Sequence, residues 1–374
     1  MIYLDNAATT KPCRAAIDAA ALAMEKLYYN PSSLHAGGSE VNEYLRAARK
    51  TVADAFDAPP EEIIFNSGGT EGDNTVLMSA VPWHIKHVIV GAIEHDAVIE
   101  PAQKLASMGI KVDYARAGTD GIVSPDEIAR LLTPETGLVS IMTVNNETGA
   151  IQPIREIASL LKRKKSKAIL HTDAVQGFLK TDTPLSRSGA DIATVSAHKV
   201  GGIKGVGAIW HKKDVRIRPL IVGGGQESGY RSGTEPIPGI AAFAAACEER
   251  NTHLASDIAH IREVSEEGKK LLSAVPGCEL LTYPEVSPFI INLALPGYKS
   301  QVVLNALSGK GIYLSSGSAC AKGKLSRVLT EMGIDRRKAD GFLRVSLSHE
   351  NTLEDLRQFA LALEDILPTL VRLD

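Results

Sequence analysis

Continuous apolar runs separated by amphipathic stretches dominate the first two thirds of the chain. The runs lack the apolar–polar alternation of half-exposed strands, which is typical of strands buried on both faces of a parallel sheet. Between the runs, stretches such as 154–162 repeat apolar residues at helical spacing. The pattern predicts an α/β large domain in which helices cover a mostly parallel sheet. The predicted strands are 63–65, 87–93, 111–114, 138–144, 168–171, 192–195 and 206–210.

In the last third of the chain, charged helical segments and shorter strands take over. Thr352, followed three positions later by Asp355, predicts a capping box at the start of the last helix. We therefore expect a smaller α+β domain formed by residues 1–12 and 251–374, beside a large domain of residues 13–250. The predicted helices of the smaller domain are 258–273, 300–307 and 353–367, and its predicted strands are 289–295, 312–314 and 342–347.

The turn after strand 63–65 is the first of four polar strand ends. Gly68, Gly69 and Thr70 lead into a predicted helix, and the N–H groups at a helix start have no partner within the helix. With the helix dipole they suit a phosphate, to which Thr70 can donate its hydroxyl. A plain strand–helix turn fits the residues equally well. The spacing is neither G-x-G-x-x-G nor a Walker A loop, so it does not indicate a dinucleotide or a nucleoside triphosphate.

Three further strands end in polar residues. Asp173 and Gln176 follow strand 168–171, where a carboxylate lies at the ligand-binding edge of an open α/β sheet and can hold a positive charge. Asp173 could equally cap a helix. Because parallel strands end at the same edge, we expect all four polar ends to converge on one crevice. The other two ends are residues 94–96, which include His95, and residues 145–149, which include Asn146.

A lysine follows strand 192–195, in the run Ser196-Ala197-His198-Lys199. A lysine presented in this way can be neutralised and act as a nucleophile, for example in a Schiff base with a carbonyl. On its own, the run is more typical of a surface lysine in a glycine loop. The polar residues at the neighbouring strand ends favour the chemical interpretation.

An arginine and a glycine-rich loop are further candidates. Arg344 shares one face of its predicted strand with Phe342 and Ser346. It is either a solvated charge or a clamp for a carboxylate. The loop 223–234 contains too many glycines for a helix or strand, and we expect it to pass close to a ligand or to a neighbouring subunit.

Four cysteines are present, without a C-x-x-C pair, and this is typical of reduced thiols in a cytosolic protein. Cys320 lies among small residues and near two lysines, whose charge favours the thiolate. An inert exposed thiol is the alternative. Cys247 lies in an alanine-rich stretch and is interpreted as a packing residue, whereas Cys13 and Cys278 have no chemical neighbours in sequence.

Composition and charge exclude several classes of protein. The chain has 374 residues, enough for two domains, and its 41 Lys and Arg against 44 Asp and Glu give a formal net charge of −3. The chain has no excess of basic residues of the kind that would indicate nucleic-acid binding. The amino terminus lacks the features of a signal peptide, and no apolar stretch approaches the roughly 18 residues of a membrane span. We therefore expect a cytoplasmic protein without a membrane segment, a nucleic-acid partner or a metal site.

Taken together in chain order, eight motifs resemble those of the cysteine desulfurases. These enzymes belong to the class V aminotransferase group and have the type I, aspartate-aminotransferase-like pyridoxal-phosphate fold. Each motif is weak alone, but eight in family order, spread over nearly the whole chain, are specific. The motifs are residues 3–10, 30–35, 68–71, 145–149, 173–176, 196–199, 231–234 and 315–320.

The resemblance implies pyridoxal 5'-phosphate as cofactor and a role for each matching residue. Lys199 would hold the cofactor covalently, and Asp173 would pair with the protonated pyridine nitrogen. Gln176 would bond the ring hydroxyl, and His95 would stack on the ring and assist proton transfer. Thr234 would reach the cofactor phosphate from a second subunit, so the resemblance implies a homodimer. The phosphate ligands within one chain would be Gly69, Thr70, Ser196 and His198.

The resemblance also implies a reaction, in which sulfur is removed from L-cysteine to give L-alanine. Asn146 and Arg344 would orient the substrate carboxylate. Cys320 would accept the sulfur as a persulfide and pass it to an acceptor protein, for iron–sulfur cluster assembly or thiolation. A selenocysteine lyase, a non-catalytic scaffold of the same fold and a transaminase are the alternatives.

The chain departs from the family pattern at a few positions. Val200 and Ile203 replace a bulkier residue and a proline after the lysine, and Ser228 replaces a common arginine. The stretch from Cys320 to Arg344 is a few residues shorter than in many members, so the docking of an acceptor protein is the property it most affects.

Overall fold

The computed structural model describes residues 1–317 and 326–373. Twelve strands occur in these ranges, and most are five residues long. The strands are β1 (Ile2–Tyr3), β2 (Ile63–Asn66), β3 (His87–Gly91), β4 (Lys111–Ala115), β5 (Thr136–Ser140), β6 (Ile169–Asp173), β7 (Ile192–Ser196), β8 (Gly207–His211), β9 (Glu279–Leu281), β10 (Ile290–Ala294), β11 (Ile312–Tyr313) and β12 (Phe342–Ser346).

Eleven α-helices occur in the same ranges, and none of them combines the length and the apolar character needed to cross a bilayer. The helices are α1 (Arg14–Lys26), α2 (Ala36–Phe56), α3 (Gly69–Met78), α4 (Asp96–Ser107), α5 (Pro125–Leu131), α6 (Ile154–Arg163), α7 (Ile237–Ser273), α8 (Ser300–Gly309), α9 (Arg327–Glu331), α10 (Arg336–Asp340) and α11 (Leu353–Ile366).

A seven-stranded sheet with the order β2-β8-β7-β6-β5-β3-β4 forms the centre of the fold. Strand β8 is antiparallel to both of its neighbours, and the other neighbouring pairs are parallel. The carboxyl ends of β3, β5, β6 and β7 therefore lie at one edge of the sheet. The predicted α/β class with a mostly parallel sheet is confirmed.

Both faces of this sheet are apolar, which explains the continuous apolar runs of its strands. Successive residues of a strand point to opposite faces. Ile64 packs in one apolar cluster with Val76 of α3, whereas Phe65 packs in another with Val52 of α2. Full burial of such a side chain contributes roughly 1.5–3 kcal/mol, so each strand is held from two sides.

Two predicted strands of the large sheet run at least two residues further than the observed ones, because the pairing of β3 with β5 ends there. Strand β3 ends at Gly91 and β5 at Ser140, not at residues 93 and 144. Beyond these ends, the Met142 N–H donates to Glu94 Oε1 at 2.7 Å, and Asn145 Nδ2 donates to the Ile93 carbonyl at 2.9 Å. These side-chain hydrogen bonds join the segments after β3 and β5, while the N–H groups of Ile141 and Thr143 still donate to carbonyls of β6.

The predicted helix 258–273 is the second half of α7, which has 37 residues and begins at Ile237. Phe243 in the first half packs in the core under the large sheet, whereas Ile261 in the second half packs against the smaller sheet. Alanines and a central polar stretch obscure the helical period of the first half. The predicted domain boundary at residue 250 thus falls inside a continuous helix, and the division into two domains stays a prediction.

The last third of the chain forms a three-stranded antiparallel sheet with the order β12-β10-β9, against which α7 and α11 pack. The predicted capping box at the start of α11 is present. Thr352 Oγ1 accepts from the Asp355 N–H at 3.3 Å, and an Asp355 oxygen accepts from the Thr352 N–H at 2.9 Å.

The amino-terminal residues pair with this smaller sheet region, an arrangement not predicted in detail because β1 is only two residues long. Strand β1 is parallel to β11. The Leu4 N–H then donates to the Tyr313 carbonyl at 2.7 Å, and the Asn6 N–H to the Ser346 carbonyl at 3.2 Å. Residues 1–6 are thereby held against β11 and β12.

Two leucines of α11 offer a matched test of this packing. Leu363 is fully buried, whereas 51% of Leu361 is exposed. Leu363→Ala should lower the free energy of unfolding by about 2–5 kcal/mol, because it removes buried surface and leaves a cavity. Leu361→Ala should change it by less than about 0.5 kcal/mol. Denaturant unfolding followed by circular dichroism measures both, and equal midpoints for the two variants would contradict the packing.

Candidate active site

A cavity of about 270 Å³ opens where β2, β3, β5, β6 and β7 end. The amino-terminal residues Ala7 and Ala8 form one wall of the cavity, and β12 contributes a single arginine. Ten of the twelve predicted site residues line this cavity, as expected from strands that end at one edge. They are Gly69, Thr70, His95, Asn146, Asp173, Gln176, Ser196, His198, Lys199 and Arg344.

Lys199 lies in a short 3-10 turn, Ala197–Lys199, directly after β7. Its Nζ donates to the carbonyls of Ala7 at 2.6 Å and Ala8 at 2.8 Å. Burial, and then the charge of Arg344, lower the pKa of Lys199 to about 8. A neutral amine, which is the nucleophilic form, is therefore accessible near physiological pH. The interpretation of Lys199 as an ordinary surface lysine is wrong.

Asp173 is the last residue of β6, and it is buried at the bottom of the cavity. Its Oδ1 accepts from the Val175 N–H at 2.9 Å. Burial raises the pKa of Asp173, and the charges of His95 and Lys199 act against that rise. No α-helix follows Asp173, so it is not a helix cap. Its position suits a carboxylate that receives a positively charged group.

Gln176 is buried beside Asp173, and two contacts fix the orientation of its amide. Nε2 donates to the Ala7 carbonyl at 2.8 Å, and Oε1 accepts from Lys180 Nζ at 3.2 Å. Lys180 was not predicted as a site residue, because a single lysine after a turn carries no pattern. Burial, and then the charge of Lys199, lower the pKa of Lys180 to about 7.

The start of α3 forms a cradle for an anion. Gly68 has a φ of +143°, which favours glycine, and the ten-residue helix begins at Gly69. A side chain on Gly69 would approach Val175 Cγ2 to 2.8 Å, so only glycine leaves the backbone open there. The first N–H groups of the helix, with the helix dipole and the buried Ser196, point to a phosphate site.

His198 is a neutral ring beside this cradle. Burial, and then the charges of Lys199 and Lys204, lower its pKa to about 4. Its Nδ1 lies 3.1 Å from Thr9 Oγ1, which fixes the ring. His95 lies between β3 and α4. It caps α4, because its Nδ1 accepts from the Ala97 N–H at 3.1 Å.

Arg344 is 2% exposed, so the interpretation of its charge as solvated is wrong. One guanidinium nitrogen donates to Asp5 Oδ1 at 2.8 Å, and another donates to the Asn146 carbonyl at 2.7 Å. The fork is therefore held in place at the edge of the cavity. An arginine held in this way suits the recognition of a carboxylate.

Of the described site residues, Thr234 is the one that is not brought into the cavity. Thr234 is exposed and does not line the cavity of its own chain. Cys320 lies outside the described residues. Burial raises the pKa of the three described thiols, to about 11 for Cys278, so none of them is a ready thiolate. Cys247 is fully buried in α7, which confirms its packing role.

A layer of buried ionisable residues beneath Asp173 was not predicted. Burial, and then the charge of Asp173, raise the pKa values of Asp73 and Glu94 well above their usual range. Burial lowers the pKa of His171 to about 3, and its Nε2 lies 3.6 Å from Asp73 Oδ1. Glu94 belongs to the predicted polar strand end 94–96, and Asp73 and His171 lie in α3 and β6, but the sequence does not show that all three are buried.

Comparison with known proteins gives the family. The family description "Aminotransferase class-V" matches residues 2–359. The chain belongs to the class V aminotransferase family. The members include pyridoxal-phosphate enzymes, as predicted from the resemblance.

Curated relatives in this family carry the name cysteine desulfurase. Cysteine desulfurase 2 of Trichormus variabilis is 39% identical over 367 residues, which cover 94% of this chain and 89% of that protein. Cysteine desulfurase IscS of Methanosarcina thermophila is 35% identical over 95% of this chain and 89% of its own length. The relatives support the predicted cysteine desulfurase class of enzyme.

Solved structures agree with the fold and with the class. A structure titled NifS-like protein has a TM-score of 0.93 at 36% identity, over 99% of this chain and all of that one. A NifS-like protein from Rickettsia africae has a TM-score of 0.88 at 31% identity, over 98% of this chain and 99% of that one. A structure described as SspA in complex with cysteine has a TM-score of 0.81 at 28% identity, over 94% of this chain and all of that one.

The residues of the cavity fit pyridoxal phosphate. A protonated ring nitrogen would stabilise the buried carboxylate of Asp173, whose pKa is otherwise raised by burial. The open start of α3 and the missing side chain of Gly69 leave room for a phosphate. The amine of Lys199 faces the same cavity and has a lowered pKa.

The lowered pKa of Lys199 gives a testable pH dependence. Covalent uptake of pyridoxal phosphate by the apoprotein should rise with pH and be half-maximal near pH 8, because only the neutral amine attacks a carbonyl. Arg344→Met should move this midpoint to higher pH, since the charge of Arg344 lowers the pKa of Lys199. Absorbance of the protein after gel filtration measures uptake, and Lys199→Ala is the blank. A wild-type midpoint near the ordinary lysine value of 10.5 would contradict the assignment.

Proposed function

We propose that the protein is a cysteine desulfurase that uses pyridoxal phosphate, takes sulfur from L-cysteine, releases L-alanine and holds the sulfur as a persulfide on Cys320. The observation that carries the proposal is one cavity that contains Lys199, Asp173 and a buried Arg344. The match to relatives named cysteine desulfurase over most of the chain supports the same reaction.

Arg344 and Asn146 position the substrate in this proposal. The guanidinium of Arg344 is buried and oriented by Asp5, so it accepts the carboxylate of an amino acid without reorganising. The Asn146 side chain lines the same edge of the cavity. A related structure described as a complex with cysteine supports L-cysteine as the ligand.

Around the cofactor, each residue has one task. When bound, pyridoxal phosphate supplies an electron sink for the substrate's carbon skeleton. Asp173 would hold the ring nitrogen, Gln176 the ring hydroxyl and His95 the ring face. Lys199, a neutral amine above about pH 8, would move the proton of the substrate's α carbon. Gly69, Thr70, Ser196 and His198 would hold the phosphate.

Cys320 carries out the sulfur transfer. Its thiolate attacks the sulfur of L-cysteine, so that an S–S bond forms and the bond between sulfur and the β carbon breaks. The electron pair of the broken bond goes to the carbon skeleton, which takes up a proton and leaves as L-alanine. The persulfide on Cys320 then passes its outer sulfur to an acceptor protein.

The reaction is tested with purified protein, pyridoxal phosphate, L-cysteine and a reductant. We expect alanine and sulfide in equal amounts. Cys320→Ala should lower the rate by at least about 100-fold, because it removes the nucleophile, while Cys278→Ala should leave it unchanged. Undiminished alanine formation by Cys320→Ala would contradict the persulfide. If Cys320→Ala is slow with L-cysteine but remains fast with L-selenocysteine, the protein is a selenocysteine lyase.

A homodimer is the second part of the proposal. Thr234 is exposed and lies outside the cavity of its own chain, as expected for a residue that acts on a second subunit. The exposed apolar residues Leu220, Ile221 and Val222 directly precede the glycine-rich loop 223–234 that contains Thr234, and they suit a protein interface. Arg231 in this stretch is fixed by Glu71 at 2.9 Å, next to the phosphate cradle.

The dimer is tested by mass and by cofactor affinity. Light scattering should give twice the chain mass of 39.9 kDa. Thr234→Ala should weaken pyridoxal-phosphate binding at least about tenfold, since it removes a hydrogen bond to a charged group, whereas the exposed Thr252→Ala should not. A wild-type monomer that retains the cofactor would contradict the proposal.

The sulfur acceptor and the location complete the proposal. We assign the sulfur to iron–sulfur cluster assembly or to thiolation, supported by relatives named IscS. The three described cysteines form no disulfide, which supports a reducing compartment such as the cytoplasm. Capture of proteins that accept sulfur from the Cys320 persulfide distinguishes the pathways.

A further inference from the structure

Glu147 is a buried carboxylate that the proposed reaction does not use. It lies in the turn 145–149 and is 4% exposed. Its backbone is held on both sides, because its N–H donates to Asn145 Oδ1 at 2.9 Å and its carbonyl accepts from Asn292 Nδ2 at 2.8 Å. The backbone of Glu147 is therefore held by its own turn and by β10 of the smaller sheet together.

This carboxylate contacts both residues that border 318–325, the stretch with Cys320. On one side, Ser326 Oγ donates to Glu147 Oε2 at 2.5 Å. On the other, a side chain on Gly317 would approach the same oxygen to 2.8 Å, so the backbone of Gly317 packs directly against it. Ser315 Oγ in turn donates to the Gly317 carbonyl at 2.9 Å.

Two arginines hold the same region against the cavity. Arg344 donates to the carbonyl of Asn146, the residue before Glu147. Arg327, directly after Ser326, donates to the carbonyls of Ala92 and Glu94, which precede His95. The charges of both arginines favour ionised Glu147, although burial raises its pKa overall. Glu147 thus lies at the centre of a contact network that joins the cavity to both borders of the stretch.

Covalent geometry makes these borders matter for the reaction. Cys320 follows Gly317 by three residues, and three residues span at most about 10–11 Å. The position of Gly317 therefore limits where the Cys320 thiol can be delivered. A displacement of about 1 Å in such an anchor is enough to cost a large factor in rate.

We propose that Glu147 is a positioning residue that holds Gly317 and Ser326 together beside the cavity and so controls the approach of Cys320 to the substrate sulfur. This inference rests on the proposed role of Cys320. It assigns to Glu147 no contact with substrate or cofactor. Glu147 affects how the thiol of Cys320 reaches the substrate, whereas Arg344 and Asn146 bind the substrate.

The test separates delivery from binding. Glu147→Ala removes both contacts and should lower kcat for alanine formation about 10- to 100-fold, with KM for L-cysteine changed by less than about threefold. Glu147→Gln keeps an oxygen that accepts from Ser326, so it should stay within about fivefold of the wild-type kcat. Exposed Glu156→Ala is the matched control and should leave kcat unchanged.

A second readout does not depend on activity. Holoenzyme without substrate is treated with iodoacetamide, and each cysteine is followed by peptide mass spectrometry. Glu147→Ala should alkylate Cys320 at least about threefold faster than wild type, because the borders are released, and Ser326→Ala should give part of the same increase. The double variant should not exceed Glu147→Ala, since both changes break one contact. Cys247 reports on unfolding because it is fully buried.

Each outcome decides the inference. Faster alkylation of Cys320 with Cys247 still protected supports it. An alkylation rate at Cys320 equal to wild type in folded Glu147→Ala overturns it, and so does a Glu147→Gln variant as slow as Glu147→Ala. If wild-type protein forms no alanine, the proposed function fails, while the alkylation experiment still decides whether Glu147 holds the borders of the stretch.

Discussion

The hydrogen bonds from Lys199 Nζ to the carbonyls of Ala7 and Ala8 are the contacts on which the site depends. They tie the end of a strand in the large sheet to the first residues of the chain. Gln176 also donates to the carbonyl of Ala7, so two cavity residues are hydrogen-bonded to the same peptide segment. That segment is in turn held by Ser346 of the smaller sheet, through the Ala7 N–H at 2.9 Å. The cavity is therefore lined by residues that follow strands of the large sheet, by residues 7 and 8 and by Arg344 of the smaller sheet.

The electrostatics of the cavity follow from that shared position. Lys199 is partly buried and Arg344 is buried, and the two lie close enough that burial and then the charge of the arginine lower the pKa of the lysine. Asp5 pairs with Arg344 at 2.8 Å, and this prevents the cavity from containing an uncompensated guanidinium. Asp173 lines the same cavity, and burial favours its neutral form. The cavity is arranged to keep the amine reactive and to accept a cation beside the carboxylate.

Local patterns could predict the parts of the site that depend on strand direction. Once parallel strands were indicated by apolar runs, the polar residues after them had to meet at one edge, and ten of the predicted residues line a single cavity. Local patterns could not predict β1, because two residues make no period, or the length of α7, because alanines hide it. Lys180 also escaped prediction, since its pKa depends on burial by residues distant in sequence.

Glu147 shows most clearly why sequence reasoning stops where it does. The residue is visible in sequence as part of a polar turn, but its chemical meaning comes from Ser326, 179 positions later, and from Gly317. Such contacts are set by how the smaller unit packs on the large sheet, which no local period encodes. In the proposed reaction Lys199 activates the substrate, and Cys320, three residues after Gly317 in sequence, accepts the sulfur. A buried carboxylate that contacts Ser326 and directly follows Asn146 is the kind of group that can couple these two requirements.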